Sequence, residues 1–163
     1  MSDLTARIES PVGTLTATVD DEGRLVALSF PGRGSATGPT VAPTEPRFAG
    51  VVAELREYFA GKRRDFTLPL QPRGTAFQQR VWEELQRIPY GATISYRELA
   101  IRVGNPAATR AVARANATNP LPIVVPCHRV IGADGTLTGY GGGLDRKRFL
   151  LDLEGTRPLL VAS

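Results

Sequence analysis

The apolar residues of this chain change rhythm partway along, and that change limits the fold to a sheet followed by helices. Thr5-Ala6-Arg7-Ile8, Leu15-Thr16-Ala17-Thr18-Val19 and Leu25-Val26-Ala27-Leu28-Ser29-Phe30 are short runs rich in β-branched and apolar residues. Between them stand Ser10-Pro11-Val12-Gly13 and Asp20-Asp21-Glu22-Gly23, both turn sequences. Pro31 to Pro46 is rich in Gly, Pro, Ser and Thr and reads as an exposed loop. A helix is expected from about Phe48 to Ala60. Val51, Val52, Leu55, Tyr58 and Phe59 share one side of it, and Gly61 stops it. The basic cluster Lys62-Arg63-Arg64 follows that helix end, where complementing the dipole is a simpler role than touching DNA. Leu68-Pro-Leu-Gln-Pro-Arg-Gly74 reads as a linker.

Beyond the linker the rhythm is helical. Thr75 with Gln78 predicts a capping-box start. Phe77, Val81, Trp82, Leu85 and Ile88 then form an apolar stripe, which Pro89-Tyr90-Gly91 ends. Ser95 with Glu98 predicts a second capping box, with Leu99, Ala100 and Val103 facing inward and Gly104 just past the helix end. Asn105 can cap the next helix, with Pro106 in its first position and an end near Asn116 or Ala117. The pair forms a helix-turn-helix pattern. In the second helix Ala107, Ala108, Ala111, Val112, Ala113 and Ala115 are small, while Arg110 and Arg114 share a face. Small residues let a backbone approach another helix or a nucleic-acid groove, and the pattern alone does not choose. The expected fold is α/β (α+β). A small N-terminal sheet-plus-helix domain covers 1–72, and a mainly helical domain with the helix-turn-helix covers 73–163.

Charge and composition narrow the function. Residues 1–72 carry 8 Lys/Arg against 9 Asp/Glu, and residues 73–163 carry 12 against 7. The second half therefore holds a net +5, which suits a polyanion partner and also suits an ordinary basic surface. No apolar run approaches the roughly 18 residues that span a membrane. Met1-Ser2-Asp3-Leu4 does not open a signal peptide, so a cytoplasmic protein without membrane partners is expected. One Cys and one His among 163 residues exclude an internal disulfide and the usual four-ligand zinc site, and no metal is expected.

Those two residues are adjacent, in Pro122-Ile123-Val124-Val125-Pro126-Cys127-His128-Arg129-Val130. A lone Cys is commonly a small buried hydrophobe. A nucleophilic Cys needs a base, because a free thiol near pKa ~8.5 is mostly protonated at neutral pH. Adjacent side chains usually diverge, so His128 is expected to reach Cys127 through a water or a tight turn. A third group should fix the imidazole, and Glu154, Asp152 and Asp145 are each of the right type.

The Pro-Cys-His-Arg-Val run resembles the active-site signature of the O6-alkylguanine-DNA alkyltransferases (methylated-DNA–protein-cysteine methyltransferases). Phe77-Gln78-Gln79-Arg80-Val81-Trp82, Ile88-Pro89-Tyr90-Gly91, Ser95-Tyr96, Gly104-Asn105-Pro106, Arg110-Ala111-Val112, Asn119-Pro120, Gly139-Tyr140-Gly141-Gly142 and Leu153-Glu154-Gly155 resemble the family in order and spacing. Residues 1–72 resemble its N-terminal domain in length and strand pattern only. The resemblance implies that Cys127 accepts the alkyl group, His128 is the base acting through water, and Glu154 orients it. It implies that Asn119 ties the turn after the recognition helix to the active-site segment. Arg110 would be the finger that fills the space left by a flipped nucleotide, with Ser95, Asn105, Ala108, Thr109 and Ala113 meeting DNA around it. Tyr96 would crowd the target phosphate and hydrogen-bond the guanine. Tyr96, Pro122, Val130, Tyr140, Gly141 and Gly142 would line the base pocket, with backbone from Leu137 to Gly142 reading the base edge.

The implied reaction is irreversible, stoichiometric transfer from O6-alkylguanine in double-stranded DNA, with O4-alkylthymine as a second candidate substrate. No cofactor is expected, and because the damaged atom lies inside the duplex the base must be extruded. A thioether has no good leaving group, so one protein repairs one lesion. A monomer that can load cooperatively on DNA is expected. Gly141 stands where several relatives have Ser, which removes a side-chain donor. The zinc site of some relatives' N-terminal domains has no ligands here. Three other classes compete: a non-catalytic binder of alkylated DNA, which would lack the Cys, a Cys-His hydrolase, and a sequence-specific helix-turn-helix regulator.

Overall fold

Two tight turns and short apolar runs make the first three strands, β1 (Leu4–Ile8), β2 (Leu15–Val19) and β3 (Leu25–Ser29). They come from a computed structural model that describes residues 2–34, 37–137 and 139–156. β1 and β2 pair antiparallel, as do β2 and β3. The β2–β3 turn is built by Asp20, whose Oδ1 accepts the backbone N–H groups of Glu22 and Arg24 at 3.0 and 2.9 Å. Gly23 sits there at φ +79°, where a side chain would be strained. Thr5 and Thr18 lie opposite each other in the register, their hydroxyls 3.1 Å apart.

The segment expected as pure loop contains a further strand. β4 (Thr40–Val41) runs parallel to β1, giving the sheet order β3-β2-β1-β4. A two-residue strand is too short to show a periodicity among the Gly, Pro, Ser and Thr that surround it. The expected linker is also not free. Leu25 donates to the Pro69 carbonyl at 2.9 Å and Gln71 donates to the Leu25 carbonyl at 2.8 Å. Proline tolerates such an edge because it has no N–H to leave unpaired there.

The helix α1 (Ala49–Phe59) follows a 3-10 turn at Pro46–Phe48. Gly61 at φ +74° ends it, with Gly61 donating to the Tyr58 carbonyl and Lys62 to that of Glu57. That is a Schellman end. Val51, Leu55 and Tyr58 are buried, whereas Val52 and Phe59 are half-buried. Glu54 takes a buried place on the apolar side because Thr67 satisfies it, through N–H at 2.8 Å and through its hydroxyl. Arg63 folds back on Glu57 at 2.8 Å, consistent with a role at the helix end.

The chain divides into two compact units, residues 1–73 and 74–163. In the second, α2 (Ala76–Leu85) begins with the full capping box of Thr75 and Gln78. Val81, Trp82, Leu85 and Ile88 are buried, and Phe77 is half-buried. The strand β5 (Ile94–Ser95) leads directly into α3 (Tyr96–Arg102). Ser95 caps α3 by accepting the Glu98 N–H at 3.0 Å, while the Glu98 carboxylate meets Arg102 instead of closing a box. Gly104 at φ +85° ends α3 in a second Schellman arrangement, Gly104 donating to the Ile101 carbonyl and Asn105 to that of Ala100.

The next helix starts later than expected. α4 spans Thr109–Ala117, and Ala108, not Asn105, is its N-cap. Residues 105–108 form a turn closed by the Ala108 N–H on the Asn105 carbonyl at 2.9 Å. That bond takes the Asn105 carbonyl, so Asn105 and Pro106 belong to a turn ahead of the helix. α4 packs on α2 and α3. The Trp82 indole donates to the Ala115 carbonyl at 2.8 Å, an approach that a small residue permits. The remaining elements are a 3-10 turn at Cys127–Arg129, β6 (Val130–Ile131) parallel to β5, and α5 (Leu144–Leu153).

Replacing Thr75 with Ala should destabilise the second unit by about 1 kcal/mol, the usual worth of a lost N-cap. Trp82 is the chain's single tryptophan. Its fluorescence in a urea titration should show a lower midpoint with an unchanged slope; an unmoved midpoint would mean that the box carries no stability.

Candidate active site

Cys127 is set in place by backbone geometry. Pro126 at φ −80°, ψ 65° is the centre of an inverse γ-turn, with the Cys127 N–H on the Val125 carbonyl at 2.7 Å. Arg129 then donates to the Pro126 carbonyl and Val130 to the Cys127 carbonyl, winding the 3-10 turn. Pairing of Val130 with Ile94 fixes the turn's exit beside Tyr96, the first residue of α3.

The approach to the turn is held by Asn119. Its Nδ2 donates to the Val125 carbonyl at 2.8 Å and its Oδ1 accepts the Leu121 N–H at 2.9 Å. Val125 also donates its N–H directly to the Leu121 carbonyl at 2.8 Å. Inside that loop Ile123 is buried at φ +76°, a left-handed conformation that costs a β-branched residue roughly 1–3 kcal/mol. Asn119 overdetermines the loop enough to hold it.

Cys127 is 5% exposed, and His128 and the Glu154 side chain are fully buried. The His128 Nε2 lies 2.8 Å from Glu154 Oε2. Arg129 grips the same carboxylate twice, Nε to Oε1 at 2.7 Å and Nη2 to Oε2 at 2.9 Å, and its Nη1 donates to the Ile88 carbonyl at 2.7 Å. Burial pushes the Glu154 carboxyl up, but hydrogen bonds from His128 and Arg129 outweigh it and hold the group at about 2. Burial lowers the His128 pKa despite Glu154, so the ring is neutral at neutral pH. An ionised carboxylate only accepts, so Nε2 carries the ring proton and Nδ1 keeps a lone pair. Nδ1 has no hydrogen-bond partner among the described residues. The site therefore holds a neutral, oriented base beside a thiol. Burial pushes that thiol up, while hydrogen bonds from Asn119 and Tyr140 and the charge of Lys147 pull it down.

Of the residues singled out in the sequence, Cys127, His128, Glu154, Asn119 and Tyr140 come together here. Pairing with His128 selects Glu154; Asp145 and Asp152 are exposed. Tyr96 and Pro122 are half-buried, Val130 is fully buried, Gly141 is exposed and Gly142 is buried. Thr138, within the segment expected to read a base edge, lies outside the described residues. Arg110, in the first turn of α4, and Asn105 are exposed, while Ala108, Thr109 and Ala113 are half-buried. The Ser95 hydroxyl serves as the α3 cap.

Sequence reasoning gave no role to three buried polar residues. Arg129 shares Glu154 with His128. Asn116 donates to the Cys127 carbonyl at 3.4 Å, and Lys147 to the Val130 carbonyl at 2.7 Å. Asn116 and Lys147 each stand at a core position of an apolar helical stripe, beside Val112 and between Leu144 and Leu151. A polar residue in such a stripe is the signal that could have found them. Among the described residues no three His, Cys, Asp or Glu side chains form a metal-ligating group, and no helix is long and apolar enough to cross a membrane.

Comparison with known proteins gives one answer. Residues 4–72 match the 6-O-methylguanine DNA methyltransferase ribonuclease-like domain, and residues 76–156 match the DNA binding domain of the same name. The chain is 52% identical over 151 residues to the methylated-DNA–protein-cysteine methyltransferase of Mycolicibacterium paratuberculosis, covering 90% of this chain and 89% of that one. It is 47% identical over 152 residues to the constitutive enzyme of that name from Bacillus subtilis, covering 90% and 92%. The crystal structure of Mycobacterium tuberculosis OGT in complex with DNA superposes with a TM-score of 0.85 at 49% identity, covering 93% of this chain and 92% of that one. With both halves matched and half of the residues identical to a named relative over nearly its whole length, the chain belongs to the 6-O-methylguanine DNA methyltransferase family.

Proposed function

We propose that Cys127 is the acceptor in the direct-reversal DNA repair that this family performs, taking an alkyl group from O6 of a guanine flipped out of double-stranded DNA. The observation that carries the assignment is the buried Cys127–His128–Glu154 set, with Nε2 bonded to Glu154 and the Nδ1 lone pair unengaged. In this reading a water bridges Nδ1 and the thiol and passes the Cys127 proton to His128. The thiolate attacks the alkyl carbon, the S–C bond forms as the C–O6 bond breaks, and the electron pair goes to the guanine. The base then takes one proton at its ring nitrogen, balancing the one lost by Cys127. The Asn119 and Tyr140 side chains and the charge of Lys147 favour its ionised form. The product thioether ends the protein's activity.

The DNA-facing half of the function falls to α3 and α4. Arg110 enters the stack in place of the extruded nucleotide, and Tyr96, at the start of α3, crowds the target phosphate. Small residues on α4 bring its backbone near the minor groove, where an inserted side chain offsets part of the unstacking cost of a few kcal/mol. Ser95, Asn105, Ala108, Thr109 and Ala113 contact DNA around it, and Pro122, Val130, Tyr140, Gly141 and Gly142 bound the flipped base. The protein acts as a monomer, one Cys127 per lesion. Cys127 itself counts against a non-catalytic binder.

Incubation with duplex DNA bearing one O6-methylguanine should add one methyl mass to the peptide containing Cys127. An intact lesion with unmodified Cys127 at stoichiometric protein would refute the assignment. Glu154→Gln should slow single-turnover transfer by at least ~100-fold, the scale of a lost, oriented general base, while leaving affinity for undamaged DNA within about twofold. Unchanged transfer would remove His128 and Glu154 from the mechanism. Arg110→Ala should weaken lesion repair more than binding to plain DNA; equal losses would reduce Arg110 to a phosphate contact.

A further inference from the structure

Two buried hydrogen-bond acceptors beside Cys127, Asn116 Oδ1 and His128 Nδ1, have no donor among the described residues. Asn116 is 5% exposed and sits on the inner stripe of α4 with Val112 and Ala115. An apolar side chain would fill that place without the cost of burying an amide. The direction of the amide is fixed by its other end. Nδ2 donates to the Cys127 carbonyl at 3.4 Å, and the reverse orientation would set two carbonyl oxygens against each other. Oδ1 is therefore the atom left over.

The Cys127 carbonyl belongs to the peptide unit that joins Cys127 to His128, so the Asn116 amide is docked between the residue of the nucleophile and that of the base. The His128 ring is anchored at its far end, Nε2 to Glu154 at 2.8 Å. That leaves Nδ1, the nitrogen nearer the ring's attachment, on the backbone side. An amide oxygen and an imidazole lone pair both only accept, so they cannot bond each other. A water molecule has two donors and two lone pairs. It can satisfy both and still accept from a third group.

We propose that Asn116 is a positioning residue for alkyl transfer: its Oδ1 holds the water that carries the Cys127 proton to His128 Nδ1. This rests on the reading of Cys127 as the alkyl acceptor and His128 as its base. With one O–H given to Oδ1 and the other to Nδ1, the water has only lone pairs left for the thiol. As the S–H bond breaks, its proton joins the water oxygen, and the water proton on Nδ1 passes to the ring. The products are a thiolate, an imidazolium held by Glu154 and an intact water, so protons and charge balance. Asn116 thus supplies orientation, and the proton transfer itself stays with Cys127 and His128.

The chain has one histidine, so a 15N-histidine label reports on His128 alone. In the full-length protein without DNA, Nδ1 should resonate upfield of a bare imidazole nitrogen, because it accepts from the water. Asn116→Leu should move it downfield towards the bare value, with Nε2, held by Glu154, unmoved. Single-turnover transfer from duplex O6-methylguanine should slow by about tenfold, the scale of one lost hydrogen bond. Melting temperature and binding to undamaged DNA serve as folding controls. An unmoved Nδ1, a shift shared by both nitrogens or a wild-type transfer rate overturns the proposal and leaves Asn116 a clasp on the Cys127 carbonyl. Should Asn116→Leu not fold, a high-resolution crystal structure of the wild-type protein decides. One ordered water should lie within about 3.2 Å of both Oδ1 and Nδ1 and touch Sγ; any other arrangement at Nδ1 overturns the proposal. Neither the label nor the water needs DNA. Failure here leaves transfer to Cys127 standing, whereas a wild-type protein that never takes the methyl group refutes the underlying assignment.

Discussion

The Glu154 carboxylate organises the second unit. It lies just past the last residue of α5, yet His128 and Arg129, two successive residues of a distant turn, both end on it. A carboxylate stripped of water is tolerable only when its lone pairs are used, and three hydrogen bonds from two side chains use them. Arg129 also takes the Ile88 carbonyl at the end of the α2 stripe. One buried ion therefore links the end of α2, the 3-10 turn and the end of α5. The division of labour follows from charge: Arg129 neutralises Glu154 permanently, so His128 need not be protonated and remains a base.

Much of the fold was legible in the sequence because its signals were local. The Thr75/Gln78 box, the αL glycines at 61 and 104, and the strand pattern up to Ser29 each state a backbone preference within a few residues. What was not legible depends on partners far along the chain. β4 exists only because β1 offers an edge, and Pro69–Gln71 is ordered only because β3 does. The start of α4 moved to Thr109 because the Asn105 carbonyl is taken by a turn, a choice that the cap preference of asparagine alone does not reveal.

The site divides the same way. Cys127 and His128 declare themselves by adjacency, and Asn119 through the matching segment. Residue type left Glu154 level with Asp145 and Asp152, and only the fold separates them. Arg129, Asn116 and Lys147 went unassigned because buried polar residues serve neighbours that sequence distance hides. The alanine-rich helix has the inward packing that its composition allowed. Ala115 accepts the Trp82 indole on the inner side, and the outer side keeps Arg110 and Arg114 in solvent.

The burial of Cys127 has a consequence for economy. A reagent that works once is wasted by any stray electrophile that reaches it first. At 5% exposure, with its thiol held up by desolvation, the sulfur stays largely protonated and screened in the resting protein. Its base, its oriented amide and its buried cation are already assembled around it, so little rearrangement separates dormancy from reaction. The sulfur is therefore spent only when a substrate reaches it within these surroundings.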